Sequence, residues 1–396
     1  MTLVTELPSK SATDHESSIT MNQSIINHRD LLWHVNHEIF SNPEIAYEEV
    51  TAHDTLVAAL QGEGIKVTPH AYGIQTAFEA EFGSGGRVLA FNVEYDALPG
   101  LAVVDALKQS DKAGRVRLLG TPAEEAIGGK IALIEAGAYA DVEACMMMHP
   151  TSQSVYPDDV LGDAFDKTLA ISGFRVTFRG KPAHAALAPW KGVNALDAAV
   201  LGYTSVSALR QQLQPDERIH GIIAEGGVAA NIIPDRAVLE YGVRAPSLAG
   251  AEALQERVLN CFKVAAQATG CEIEAEILGV YADLRTNLSI CRAFQQAIEG
   301  MGHKMQCNVD RETTPASTDQ GNVSYVCPSF QGIFGIPSEN AFPHTAGFAQ
   351  GAGSIASFER CLLSAEGMAI AAYRFLMDDD LANEVKKNFQ HQKSLD

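Results

Sequence analysis

The chain has 396 residues, 46% of them hydrophobic and 20% charged, with 33 glycines and 16 prolines. This composition excludes a fibrous or wholly disordered protein and leaves room for about two or three domains. Lys and Arg number 29 against 49 Asp and Glu, a net charge of −20, and a field of that sign excludes nucleic acid as an expected partner because it repels phosphate backbones.

Residues 1–24 are polar and aperiodic, which predicts a disordered leader. They lack the charged and apolar segments of a secretory signal, and nowhere do the roughly 18 consecutive apolar residues of a membrane span occur. A cytoplasmic chain without membrane contact is the expectation. The seven cysteines are odd in number and scattered, which predicts reduced thiols, mostly in the core.

Apolar residues recur at helical spacing over 25–40 and 51–60, and Gly62 and Gly64 end the second run. Three short apolar runs follow, 88–93, 116–119 and 144–148, separated by helix-like stretches such as 130–136. That alternation predicts an α/β sheet of buried, largely parallel strands. Each run ends in polar residues: Glu94 and Asp96, Glu124 and Glu125, and His149. Ligands bind beyond the carboxyl ends of such strands. The segment 165–282 then follows the order β-α-β-β-α-β, a ferredoxin-like unit with a core of its own. It reads as an insert in a domain formed by 25–164 and 283–396.

Glu124 and Glu125 are adjacent carboxylates in a loop and point to different sides, so one can hold a metal while the other reaches the metal's water as general base. By themselves the two glutamates also fit a solvated acidic turn, and His149 and His344 fit hydrogen-bonded structural histidines. Asn231 follows an apolar strand at a turn and Arg244 ends the paired strand, so a tight hairpin is expected to bring amide and guanidinium to one edge.

The ordered set of motifs changes that balance. Phe91 to Gly100, Gly120 to Glu125 with Gly128-Gly129-Lys130, and Met148-His149-Pro150 resemble the amidohydrolase branch of peptidase family M-twenty, in clan MH. His37, Pro43-Glu44 and Glu48 resemble its first helix motif. The lid resembles it through Lys181 to Ala185, Pro189-Trp190, Gly192 to Ala195, Glu225-Gly226-Gly227, Asn231 to Pro234 and Tyr241 to Arg244. Ser317-Thr318-Asp319, Gly321-Asn322 and Phe342 to Thr345 complete the likeness, which is nearest the aminoacylase-1-like subgroup.

The resemblance implies a metallopeptidase-like α/β/α catalytic domain with an inserted ferredoxin-like lid and dimerisation domain, and a homodimer. It implies a divalent metal, zinc or manganese, and substrates that are N-acyl amino acids or dipeptides. Glu124 would be the general base, Glu125 and His344 ligands of one metal, and His149 a ligand of another. His184 would donate to the oxyanion, usually across a dimer, and Asn231 and Arg244 would hold the substrate carboxylate. One family element is missing: the loop His-Ala-Cys-Gly-His-Asn that supplies two further ligands. Pro99-Gly100 runs straight into Leu101 to Lys108, and no Cys or His lies between Asp96 and Glu124. Lost activity, an omitted coding segment and a rewired one-metal site all account for the gap, and weak metal binding is expected from the remaining ligands.

Overall fold

The computed structural model describes residues 12–95, 100–108, 113–125 and 128–394. In chain order the elements are α1 (Ala12–Ser41), α2 (Val50–Gly62), β1 (Val67–Pro69), β2 (Phe78–Ser84), β3 (Val88–Val93), α3 (Gly100–Lys108), β4 (Gly114–Gly120), α4 (Gly129–Glu135), β5 (Ala144–Ser152) and β6 (Val160–Asp163). Next come β7 (Ala170–Arg179), α5 (Ala195–Leu209), β8 (Arg218–Glu225), β9 (Arg236–Ala245), α6 (Leu248–Thr269) and β10 (Glu272–Tyr281). The chain ends with α7 (Leu288–Gly300), β11 (Lys304–Gln306), α8 (Gln320–Val326), β12 (Ser329–Ile336), α9 (Ala346–Ala352), α10 (Ile355–Met377) and α11 (Asp379–Lys393).

Two compact units result. One comprises the chain up to Asp166, Arg285–Glu312 and Val323 onward, and the other Lys167–Leu284 with Thr313–Asn322.

The first unit holds an eight-stranded sheet in the order β1-β2-β4-β3-β5-β12-β6-β11. Its centre, β4-β3-β5-β12, is parallel, and β2 and β6 flank it antiparallel. Strand β3 shows why both faces are covered: Leu89, Phe91 and Val93 join one apolar cluster, with residues of α1, α2, α3, α7 and α10, while Val88 and Ala90 join another that includes Leu133. The two-residue period of a strand sends alternate side chains to opposite faces, so a strand buried on both is nearly all apolar, and the polar residue of β3, Asn92, is buried with its Oδ1 accepting from the Tyr139 hydroxyl at 2.8 Å.

The expected disordered leader is corrected. Residues 12–24 form the first half of α1, where Met21 is fully buried. The Asn22 amide donates to both carboxylate oxygens of Glu366, each at 3.0 Å, and Ser24 Oγ donates to Asp105 at 2.8 Å. Residues 1–11 lie outside the described chain.

In the second unit a four-stranded antiparallel sheet has the order β10-β7-β9-β8. Phe174, Val176 and Phe178 of β7 and Leu239, Tyr241 and Val243 of β9 pack beneath α5 and α6, on Ala195, Ala198, Val206, Leu254, Val258 and Phe262. The opposite face carries a ladder of ion pairs, Arg175 to Glu240 and Glu276, and Arg179 to Glu274. One face apolar and one polar is the pattern of an antiparallel sheet with a solvated side. Asn194 caps α5 by accepting from the amides of Leu196 and Asp197, and Ser247 caps α6 by accepting from Gly250. The sequence boundary omits Thr313–Asn322, which joins this unit through bonds to residues far away in sequence: the Thr314 amide donates to the Lys167 carbonyl at 2.9 Å and Ser317 Oγ to the Leu169 carbonyl at 2.7 Å. No helix among the described residues is long and apolar enough to cross a membrane.

Candidate functional site

Because β4, β3, β5 and β12 are parallel neighbours, their carboxyl ends share one edge of the first unit's sheet. Glu94 follows β3, the Glu124-Glu125 turn follows β4, and His149 lies near the end of β5. His344 belongs to the connection that leaves β12 for α9.

The turn after β4 is fixed from several directions. Thr121 donates its amide (2.9 Å) and hydroxyl (3.2 Å) to the Val93 carbonyl, tying the exits of β4 and β3 together. Ala123 then adopts φ 57°, a left-handed conformation that costs a non-glycine residue energy. Two bonds hold it: its amide donates to Glu49 Oε1 at 2.9 Å, and its carbonyl accepts from the Gly128 amide at 3.1 Å. Gly129 is required here, since a Cβ at that position would stand 1.9 Å from the Pro122 carbonyl oxygen. The turn thus presents Glu124 half-buried and Glu125 exposed, as adjacent carboxylates in a tight turn must. Sequence reasoning missed Glu49, a buried carboxylate 74 residues away from the backbone it holds. Lys130, fully buried on α4, forms an ion pair with Glu94.

Of the expected metal ligands, Glu125 and His344 come together: His344 Nε2 stands 3.8 Å from Glu125 Oε1, and both side chains are well exposed. The ring of His149 donates from Nδ1 to the Pro150 carbonyl at 2.8 Å, which leaves Nε2 with its lone pair available, the tautomer a metal-binding histidine needs. Among the described residues no point is shared by Glu125, His149 and His344. These donors fit one divalent ion held by two side chains, and they do not complete a two-ion centre, for which about three protein ligands per ion are the norm in zinc hydrolases. Asp96 falls outside the described residues. The short α3 begins at Gly100 and buries Ala102, Val103, Val104, Ala106 and Leu107 in the core, so it contributes packing and no ligand.

The second unit places His184 beside Asn231. Segments 183–185 and 231–233 run antiparallel, with the Ala185 amide donating to the Asn231 carbonyl (3.0 Å) and the Ile233 amide to the Ala183 carbonyl (2.9 Å). His184 Nδ1 accepts from the amides of Ala186 (3.3 Å) and Leu187 (3.2 Å), so the ring proton sits on Nε2 and that nitrogen is a donor.

Arg244 is placed elsewhere, and this corrects the expected hairpin. Asn231 lies in the connection before β9, whereas Arg244 lies at the far end of β9, paired with Arg218 at the start of β8. At about 3.3 Å per residue, the strand from Arg236 to Arg244 spans roughly 26 Å. Asn231 and Arg244 therefore occupy opposite ends of the hairpin. Arg244 donates from Nη1 to Ser317 Oγ at 2.8 Å, and Ser317 passes the bond on to the Leu169 carbonyl. Burial holds its guanidinium below the ordinary arginine range, and among the described residues it makes no ion pair.

Comparison with known proteins agrees with this architecture. The peptidase dimerisation domain of the M-twenty peptidases matches residues 169–269. The Xaa-Arg dipeptidase of Mus musculus is 38% identical over 386 residues, covering 89% of this chain and 87% of its own. Two solved structures share the fold. A dinuclear metal-binding peptidase of the M-twenty family from Bacillus subtilis has TM-score 0.65 at 19% identity, covering 88% of this chain and 98% of its own. An aminobenzoyl-glutamate utilization protein from Klebsiella pneumoniae has TM-score 0.65 at 21% identity, covering 93% and 98%.

Proposed function

Since this chain belongs to the M-twenty peptidase family, we propose that it hydrolyses the amide bond of dipeptides or N-acyl amino acids that carry a free carboxylate. The observation that carries this reading is the braced turn that sets Glu124 beside the Glu125–His344 donor pair. Glu124 takes the proton of the attacking water and returns it to the leaving amine. His184 donates from Nε2 to the carbonyl oxygen as it gains charge. Arg244 holds the substrate carboxylate, with about 1.5–3 kcal/mol from charge-assisted hydrogen bonds. A divalent ion, zinc or manganese, at Glu125 and His344 supplies Lewis acidity when bound; His149 is the ligand proposed for a second.

With Asn231 and His184 at one end of the second unit's hairpin and Arg244 at the other, the three cannot surround one small substrate within a single copy of that unit. We infer a homodimer in which His184 and Asn231 serve the partner's substrate. The edge strand β8, with Ile222 and Ile223 exposed, and helix α5, with Val200, Leu201 and Tyr203 exposed, are the proposed contact.

The name of the murine relative sets the first substrates to try: dipeptides ending in Arg, beside N-acetyl amino acids. With added zinc or manganese the chain should release amine, and Glu124→Gln should lower the rate about 10²- to 10⁴-fold. Wild-type turnover by that variant refutes the assignment. A second reading, a binding protein with impaired chemistry, is favoured by one observation of the sequence, that no Cys or His lies between Asp96 and Glu124. It predicts no turnover, but calorimetric binding of the acids and not of their methyl esters, lost in Arg244→Ala.

A further inference from the structure

Ser317-Thr318-Asp319 and Gly321-Asn322 lie on a short strap, Thr313–Asn322, that belongs to the second unit although the chain reaches it only after α7 and β11. The strap is bonded at both ends. At its start it runs parallel to the lead-in of β7: the Thr314 amide donates to the Lys167 carbonyl at 2.9 Å, and the Leu169 amide donates to the Ala316 carbonyl at 2.9 Å. At its end it grips the exit of β10, where the Asn322 side chain accepts from the Ala282 amide and donates to the Val280 carbonyl, each at 3.2 Å. Gly321 is required for that approach, because a Cβ there would stand 2.0 Å from the Ala282 carbonyl oxygen.

Ser317 sits between these anchors with its hydroxyl committed on both sides. Its proton goes to the Leu169 carbonyl at 2.7 Å, so toward Arg244 Nη1, 2.8 Å away, the oxygen can only accept. The bond uses one end of the guanidinium. Nε and Nη2, which form its side-on fork, make no hydrogen bond among the described residues. Directly opposite Arg244 on β8 stands a second cation, Arg218, whose Nη1 donates to the carbonyls of Pro215 and Glu217.

We propose that Ser317 is the positioning residue of Arg244: by holding Nη1 it keeps the Nε–Nη2 edge as a preformed fork for the substrate carboxylate. The inference rests on the assignment of Arg244 to that carboxylate and adds what fixes its geometry. A planar guanidinium recognises a carboxylate through two parallel bonds, so its orientation matters as much as its charge. An unheld arginine must be ordered when the ligand arrives, which costs about 2- to 10-fold in affinity. The strap moves that ordering from binding into folding.

Calorimetry on the full chain with N-acetyl-L-arginine and its methyl ester tests this. Ser317→Ala should weaken binding of the acid about 2- to 10-fold and leave that of the ester unchanged, whereas Ser317→Thr, which keeps the hydroxyl, should bind as wild type does. Because Ser317 acts through Arg244, Ser317→Ala should change nothing further in an Arg244→Ala chain. The proposal is overturned if Ser317→Ala binds the acid as tightly as wild type, if acid and ester weaken together, or if the loss persists without Arg244. A wild type that does not prefer the acid, or an Arg244→Ala chain that still does, removes the assignment of Arg244 itself and the positioning role with it. Should Ser317→Ala fail to fold, Ser317→Cys takes its place, with a weak acceptor of nearly the same shape.

Discussion

Glu49 shows how a residue without a chemical role can set the geometry of those that have one. Its carboxylate accepts from the backbone of Ala123 and, weakly, from Thr76 Oγ1 at 3.4 Å. Glu49→Ala leaves a buried amide without an acceptor in a strained turn, and the expected cost is about 1–3 kcal/mol in urea unfolding. Glu49→Gln keeps an acceptor oxygen and should recover most of it. Glu366 offers a test with a pH signature. Burial, partly offset by the Asn22 bonds, raises its carboxyl above the ordinary range. Between the unfolded value of about 4.3 and the folded one, the folded state binds more protons. The stabilisation is thus present in acid and lost as the pH rises through the folded value. Glu366→Gln should raise the melting temperature at pH 7 and do little at pH 4. Equal gains at both would mean that charge burial is not the cause.

At the scale of elements, the second unit was legible from sequence because its strands and helices change period cleanly and its apolar residues sort onto one side. The centre of the large sheet was legible for the related reason that strands buried on both faces are mostly apolar, with few interruptions such as Asn92 and Arg117. The edges were not: β1 and β11 have three residues each, too few for a period to show. Helix α1 failed for another reason. Residues 12–24 are mostly polar, and the contacts that Asn22 and Ser24 make, with Glu366 and Asp105, are to residues distant in sequence. Met21→Ala should cost about 2–5 kcal/mol, where a disordered leader would lose nothing; thermal melting separates the two. In the candidate site, the motifs pointed to Glu125, His149 and His344 and included Ser317, while Glu49 stayed hidden because its partner lies 74 residues away. The hairpin expectation failed because Arg244 lies at the end of the ten-residue β9 that is farther from the turn carrying Asn231.

For the molecule as a whole, incomplete ligation has a measurable outcome. With Glu125 and His344 for one ion and His149 alone for another, the chain should retain less than one zinc or manganese per copy after dialysis, by elemental analysis. Two tightly held ions would mean that residues outside the described chain complete the centre.

The two tryptophans are divided between the units, and this gives the protein a built-in optical label for each. Trp33 stacks edge-on to Phe358, centroids 5.0 Å apart, in the first unit, whereas Trp190, 77% exposed, lies six residues beyond His184 in the second. Intrinsic emission is consequently a sum of a shielded, blue component and a solvated, red one that acrylamide reaches first. Anything that covers the loop of His184, whether a second copy of the chain or a bound peptide, should dim the quenchable fraction while leaving the blue component in place, so one unmodified sample reports on each unit separately.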